Sequence, residues 1–167
     1  MIQPPTNIDV WLQRLASKIA EVIFGIPFLV GVALQFVIPI SLSQAIPRQV
    51  LILGGIVLII VGIGFIVSAR REFAQYGQPT DPGYPTSKVV KTGVFAISRN
   101  PLYLGGSILL LGIALMLNTL WAIVMLLLSI IMCHYVLIIP EELYLATKFG
   151  NDYEEYITSV NRWLGRK

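Results

Sequence analysis

The stretch NPLYLGGSILLLGIALMLNTLWAIVMLLLSIIMCHYVLIIP, Asn100 to Pro140, carries no formal charge and is bounded by Arg99 and by Glu141-Glu142. As one helix rising about 1.5 Å per residue it would reach roughly 60 Å, twice a hydrocarbon core of about 30 Å. It therefore reads as a hairpin of two membrane crossings. Asn118-Thr119, the only adjacent polar pair in the middle of the run, marks the turn. Folding there returns the chain to the face it left, so Arg99-Asn100-Pro101 and Glu141-Glu142 meet at one side of the bilayer. Two polar clusters far apart in sequence are thereby brought together, and chemistry is expected there.

Working outward, Val22 to Pro47 and Gln49 to Ala69 are also free of charge and supply two more crossings. The expected fold is an all-α integral membrane protein with four transmembrane helices, at about 22–41, 50–68, 102–117 and 120–139. A hydrophobic content of 56%, a charged content of 13% and a mean hydropathy of +0.77 agree and exclude a soluble globular chain. Pro27 and Pro39 predict a kink or an early end in the first crossing. The sequence divides as one membrane domain: an N-terminal amphipathic helix at the interface (1–21), the first two crossings (22–69), a structured cytoplasmic loop (70–101), the hairpin (102–139) and a C-terminal interfacial helix (140–167). Trp11, Leu12, Leu15 and Ile19 recur at helical spacing in the first of these, which reads as an interfacial helix rather than a cleaved signal.

Under this topology every Lys and Arg of the 12 except Arg48 falls on one face, which the positive-inside rule makes cytoplasmic. Both termini and the 70–101 loop are then inside. The net charge of +3 follows from this asymmetry and carries no nucleic-acid inference. It does suit anionic lipid headgroups. The single Cys133 and single His134 predict neither a disulfide nor a metal site. Gly64 and Ser68 form one small-xxx-small pair, which does not define a dimer, and oligomeric state is not readable.

Candidate chemistry lies at the cytoplasmic face, and each element has two readings. Pro101 fits the first turn of the third helix, and Asn100 fits its N-cap, with a side chain satisfying a free backbone donor. Arg99 is either an anchor on lipid phosphate or a bidentate partner for a carboxylate. Thr92-Gly93 reads as a turn. Glu141-Glu142 after Pro140 are either first-turn acids favoured by the helix dipole or carboxylates awaiting a cation, from Arg99 or from a ligand. His134 either bonds a backbone carbonyl or serves a substrate. The tail from Glu141 reads as an amphipathic helix interrupted at Gly150, with Tyr153 and Tyr156 on one face as interface residues or as pocket lining.

Taken together, Val89-Val90-Lys91-Thr92-Gly93-Val94-Phe95, Ser98-Arg99-Asn100-Pro101-Leu102-Tyr103-Leu104-Gly105 and, after the hairpin, Glu141-Glu142, Phe149-Gly150, Tyr153, Tyr156, Val160 and Arg162-Trp163 resemble a known family. It is that of the integral-membrane methyltransferases, which includes isoprenylcysteine carboxyl methyltransferases and phospholipid N-methyltransferases. The resemblance covers about residues 70–167. It implies S-adenosylmethionine as methyl donor and an amphiphilic acceptor, a prenylated thiol or carboxylate or a phospholipid amine, arriving through the bilayer. Ser87, Lys88, Val89, Val90, Gly93 and Phe95 would correspond to the loop holding adenosine. Asn100, Pro101, Leu102 and Tyr103 would correspond to an Arg-His-Pro-x-Tyr motif, with Arg99 taking the donor carboxylate and Glu141 and Glu142 its ammonium. Arg99, Glu141 and Glu142 are the implied catalytic residues. His134, Tyr153, Tyr156, Arg162 and Trp163 are the implied substrate-side residues. Asn100 stands where the commonest motif has histidine and cannot titrate near neutral pH; Arg-Asn-Pro occurs among bacterial relatives, which implies a bacterial inner membrane. The arginine that the isoprenylcysteine branch carries before its acidic pair is absent from Tyr135-Val136-Leu137-Ile138-Ile139-Pro140. A non-catalytic membrane subunit retaining the cofactor-site outline is the alternative reading. A transporter fits less well, since the crossings lack ionisable residues other than His134 and Cys133.

Overall fold

Prolines and one asparagine set where the helices stop. The computed structural model describes residues 7–78 and 86–167, with side chains from residue 18 onward. Helix α1 spans Asn7–Val37, α2 Arg48–Gln75, α3 Pro101–Met116, α4 Leu120–Cys133, α5 Ile139–Phe149 and α6 Asn151–Ser159. Short 3₁₀ turns occupy Leu42–Gln44 and Gly93–Ala96. The expected apolar face at Trp11, Leu12 and Leu15 and the path of residues 79–85 lie outside the described residues. By length and composition, three helical stretches can cross a membrane: Lys18–Val37, Arg48–Gln75 and Leu120–Phe149. The apolar α3, at 16 residues, is shorter.

Three expectations about boundaries are corrected. The interfacial helix and first crossing are not separate pieces: α1 runs unbroken through Pro27 and stops at Val37, short of residue 41 and in keeping with the early end expected from Pro39. The residue before a proline is pushed out of the α region, and Pro39 follows two positions on. The last crossing does not end at residue 139 before a new helix. Instead α4 continues through a π turn, His134–Ile138, directly into α5. There the Ile139 N–H donates to the His134 carbonyl, five residues back. The wider turn absorbs Pro140, which has no N–H to give. Glu141 and Glu142 thus sit inside a continuous helix, and there is no free N-terminus whose dipole they could satisfy. Finally, the tail breaks at Gly150 (φ 52°) as expected, but its helix ends at Ser159 rather than running to residue 167, and residues 160–167 form a non-helical strap.

The hairpin turn is where the sequence places it. Asn118 adopts φ 56°, a left-handed conformation that asparagine tolerates. Its Nδ2 donates to Ser41 Oγ (2.5 Å) and Ser43 Oγ (3.0 Å), and its Oδ1 accepts from the Ser43 N–H (2.9 Å), tying the hairpin to the α1–α2 connection.

Helix α2 lies against α3, α3 against α4, and α4 against α1. The α2–α3 contact is made by two facing glycine pairs, Gly55 with Gly112 and Gly62 with Gly105. A Cβ on any of the four would come within 2.6–2.9 Å of the opposite backbone carbonyl. Backbones can approach this closely only where side chains are missing, which is how apolar helices gain packing in lipid. Gly31 makes the same kind of approach to Ala122 between α1 and α4. At the charged end, Ala69, Val90, Phe95, Tyr153, Tyr156 and Val160 form one buried cluster, and Ile23, Tyr103, Cys133, Leu137 and Ile138 form another. The candidate site lies between them.

Candidate active site

The loop leading into α3 is held before it reaches the site. Gln78 Nε2 donates to Ser87 Oγ (2.8 Å) and to the Tyr76 carbonyl (2.9 Å), while Gln78 Oε1 accepts from the Ser87 N–H (2.5 Å). This closes the ends of the intervening segment. Further on, Thr92 Oγ1 donates to Glu72 Oε2 at 2.7 Å. Gly93 (φ 57°) lies so close to the Glu72 carboxylate that a Cβ would overlap it. Glu72, on the last turn of α2, thereby fixes the entry to the 3₁₀ turn. Phe95 is buried against Phe73 (ring centroids 4.7 Å apart), and its carbonyl accepts from Tyr156 Oη at 2.7 Å.

Next, the strap knits itself to residues 96–100. The Arg99 N–H donates to the Asn161 carbonyl (3.1 Å), and the Gly165 N–H donates to the Ile97 carbonyl (2.8 Å). Asn100 Nδ2 donates to the Arg162 carbonyl (3.0 Å), and the fully buried Ser98 accepts the Asn100 N–H (3.1 Å). Asn100 therefore occupies the N-cap position of α3, but its side chain does not cap the helix as expected; it is committed to the strap. Pro101 begins the helix, as its missing N–H allows.

This lacing places three charged side chains together. Arg162 Nε donates to Glu142 Oε1 (3.0 Å) and Nη2 to Glu142 Oε2 (2.6 Å), a bidentate pair. Arg99 Nη1 lies 3.2 Å from Glu142 Oε1, with the Arg99 and Glu142 side chains only 6% and 11% exposed. Two guanidiniums face one carboxylate, so the cluster keeps one net positive charge. Arg99 Nε and Nη1 are buried without a hydrogen-bond partner among the described residues. The third contact of Arg162 runs from Nη1 to His134 Nε2 at 3.1 Å. A guanidinium only donates, so this nitrogen of His134 accepts, and in the neutral ring the proton is on Nδ1. Trp163 stacks over His134 (centroids 6.5 Å apart, 18° between planes) and packs against the Tyr103–Cys133–Leu137 cluster.

Glu141 faces a different environment. Its Oε2 accepts a long 3.5 Å contact from Tyr103 Oη, and no cation pairs with it among the described residues. The two adjacent glutamates therefore differ: one carboxylate is saturated by arginine and one is free. Outside the crossings, burial and the nearby Glu142 charge push the Tyr153 phenol up to about 12, while Arg99 acts in the opposite sense. Burial also raises Tyr156, and the Glu142 carboxylate raises Arg162.

The residues singled out in the sequence thus fall into two groups. Arg99, Asn100, Tyr103, His134, Glu141, Glu142, Arg162 and Trp163 converge. Val90, Phe95, Tyr153 and Tyr156 fill the neighbouring core with the half-buried Val89 and Leu102 against them. Ser87 bonds Gln78 rather than any member of the charged cluster, and Lys88 is exposed. Sequence reasoning missed Glu72, Gln78 and Asn161, and quoted Ser98 only as part of the resemblance, without a role. Only Gly93 signalled the Glu72 brace; backbone ties such as those of Asn161 leave no mark on residue type.

The sequence model of the phospholipid methyltransferase family matches residues 50–152, from the start of α2 to the start of α6, which includes Arg99, His134, Glu141 and Glu142 but not the strap that carries Arg162 and Trp163. No curated protein and no solved structure matches significantly. With well over half of its length matched, from the glycine-paired α2 through the Arg99–Glu142 contact, this chain belongs to the phospholipid methyltransferase family.

Proposed function

We propose that the protein transfers a methyl group from S-adenosylmethionine to a lipid amine at the cytoplasmic face of the membrane. In this reading the chain crosses four times with both termini inside. Helix α3 spans only about 24 Å by helical rise and sits in a locally thinned region. Family membership supports methyl transfer to a lipid-like substrate. The one-sided distribution of Lys and Arg supports the orientation.

The observation that carries the donor assignment is the pairing of two incompletely satisfied groups of opposite charge. Arg99 presents buried N–H donors without hydrogen-bond partners, beside a carboxylate that a second guanidinium already holds in a fork. Glu141 presents a carboxylate without a cation. The amino-acid end of S-adenosylmethionine carries a carboxylate and an ammonium and satisfies both, so the residues present fit this donor. When bound, it would supply an electrophilic methyl on sulfur: the free-base amine of the acceptor would bond to the methyl carbon as the carbon–sulfur bond breaks and S-adenosylhomocysteine leaves. Arg99 binds the carboxylate end and Glu141 the ammonium end. Alignment of the acceptor with the methyl and exclusion of water by the partly buried, stacked Trp163 and His134 would favour the displacement in this reading.

Two points favour an amine over a carboxylate acceptor. Both arginines of the cluster are committed to Glu142 or to the donor, and no cation lies between Tyr135 and Pro140 to receive an acceptor carboxylate. His134 is not the base while Arg162 occupies its Nε2.

The test is calorimetric titration of S-adenosylmethionine and S-adenosylhomocysteine into purified protein in detergent, followed by a screen of lipid amines and prenylated thiols as acceptors. Arg99→Ala and Glu141→Gln should each weaken binding by about 1.5–3 kcal/mol, the range for hydrogen bonds to charged groups. Unchanged affinity in both variants, or no saturable binding by monodisperse wild-type protein, would defeat the assignment.

A further inference from the structure

Arg99 and Arg162 are not equivalent partners of Glu142. Arg162 takes both carboxylate oxygens, at 3.0 and 2.6 Å, and its third contact rests on His134. Arg99 comes to 3.2 Å from one oxygen, yet its Nη1 makes no hydrogen bond there and its Nε makes none at all. A carboxylate next to a guanidinium ordinarily turns to meet it in a two-point fork. Glu142 does not turn because a second guanidinium already holds it in that geometry.

Arg162 can do this because its backbone is fixed. Its carbonyl accepts from Asn100 Nδ2, the preceding Asn161 carbonyl accepts the Arg99 N–H, and Gly165 bonds Ile97. The strap and the loop bearing Arg99 are one laced unit, and Arg162 projects from it across to α5.

We propose that Arg162 is a positioning residue for the donor. By occupying Glu142 it prevents that carboxylate from capturing Arg99, and so keeps the Arg99 donors available for the carboxylate of the bound ligand. The inference rests on the donor reading above. It makes an uncommon demand: a residue that does not touch the ligand controls recognition of one ligand group alone.

The experiment titrates S-adenosylhomocysteine and its decarboxylated counterpart into full-length wild type, Arg162→Gln and the double variant Glu142→Gln/Arg162→Gln, in detergent. Arg162→Gln should lower affinity for S-adenosylhomocysteine by about ten- to hundredfold, while the decarboxylated ligand binds as to wild type. Adding Glu142→Gln should recover much of the loss, since no carboxylate then remains to capture Arg99. A merely structural Arg162 gives equal losses for the two ligands and a double variant worse than the single, and either result overturns the proposal. No loss in Arg162→Gln overturns it too. Where Arg162→Gln fails to fold, Arg162→Lys serves: a point charge holds one oxygen and leaves the other to Arg99, so an intermediate loss specific to the carboxylate ligand is expected and equal losses refute it. If wild type binds neither ligand, the donor reading falls and this inference with it. If wild type binds and the losses are equal, only this inference falls.

Discussion

Gly62→Ala is the sharpest test of how the fold positions the site. A Cβ at Gly62 would stand 2.7 Å from the Gly105 carbonyl oxygen and the Leu109 backbone nitrogen, and 2.8 Å from Leu109 Cβ. Ordinary contact begins near 3.4 Å, so α2 and α3 must separate by about 0.7 Å. Two of the three obstructing atoms are backbone and cannot rotate away. Overpacking of this kind costs about 1–3 kcal/mol, and for a chain of this size each kcal/mol lowers Tm by about 2–4 °C. The control lies two residues on. Gly64 has nothing within 4 Å, so Gly64→Ala adds a methyl to open space. It should be neutral or stabilising, up to about 1 kcal/mol from helix propensity. The assay is thermal unfolding of both variants in the same detergent, read by loss of monodisperse protein. Donor affinity should fall only in Gly62→Ala, because α2 carries Glu72 and α3 begins at the cluster. Equal behaviour of the two variants would refute the claim that Gly62 and Gly105 set the helix separation.

Gly93→Ala drives a Cβ into the Glu72 carboxylate at a positive φ, and should destabilise the loop by about 1–3 kcal/mol and weaken donor binding, measurable by unfolding and by calorimetry. Tyr153 loses its proton near 10 when unfolded but near 12 when folded, so above 10 the unfolded state binds fewer protons and stability falls as pH rises toward 12, with no effect at neutral pH. An alkaline Tm series should show this slope, and Tyr153→Phe should flatten it. Asn118→Ala loses the side-chain bonds to Ser41 and Ser43 and strains a left-handed turn, whereas Asn118→Gly loses only the bonds; unfolding should rank them wild type, then Gly, then Ala.

What the sequence disclosed was governed by charge and by local turn chemistry. The uncharged run from Asn100 to Pro140 and its Asn118 turn could be read because removing charge from about 40 residues has few explanations other than lipid. Convergence of Arg99 with Glu142 followed from the hairpin geometry. The choice between two adjacent glutamates did not, because it depends on helical phase after the π turn and on a strap arriving from residues 160–167. The Asn100 side chain misled for a similar reason: a local cap competes with a distant carbonyl, and only the folded chain shows which wins. The glycine pairs left a signal that went unread. Gly55 and Gly62, like Gly105 and Gly112, are spaced by seven residues, which repeats one helix face as surely as the four-residue spacing of Gly64 and Ser68 does.

The π turn at His134–Ile138 has a consequence for changes in chain length. Such a turn equals an α-helix with one extra residue looped into it, and each residue advances an α-helix by about 100°. Deleting Val136 would let the segment close as a regular helix of nearly the same reach, still apolar and still able to insert. Everything beyond it would therefore keep its phase relative to α3, whereas deleting one residue from the regular turns of α4 with the π turn retained would rotate it by about 100°. Only the second deletion would turn Glu142 away from Arg162, and Glu141 from Tyr103. The protein should accept a single-residue shortening within the π turn but not within α4, a pattern that length-scanning mutagenesis would separate from simple hydrophobic matching.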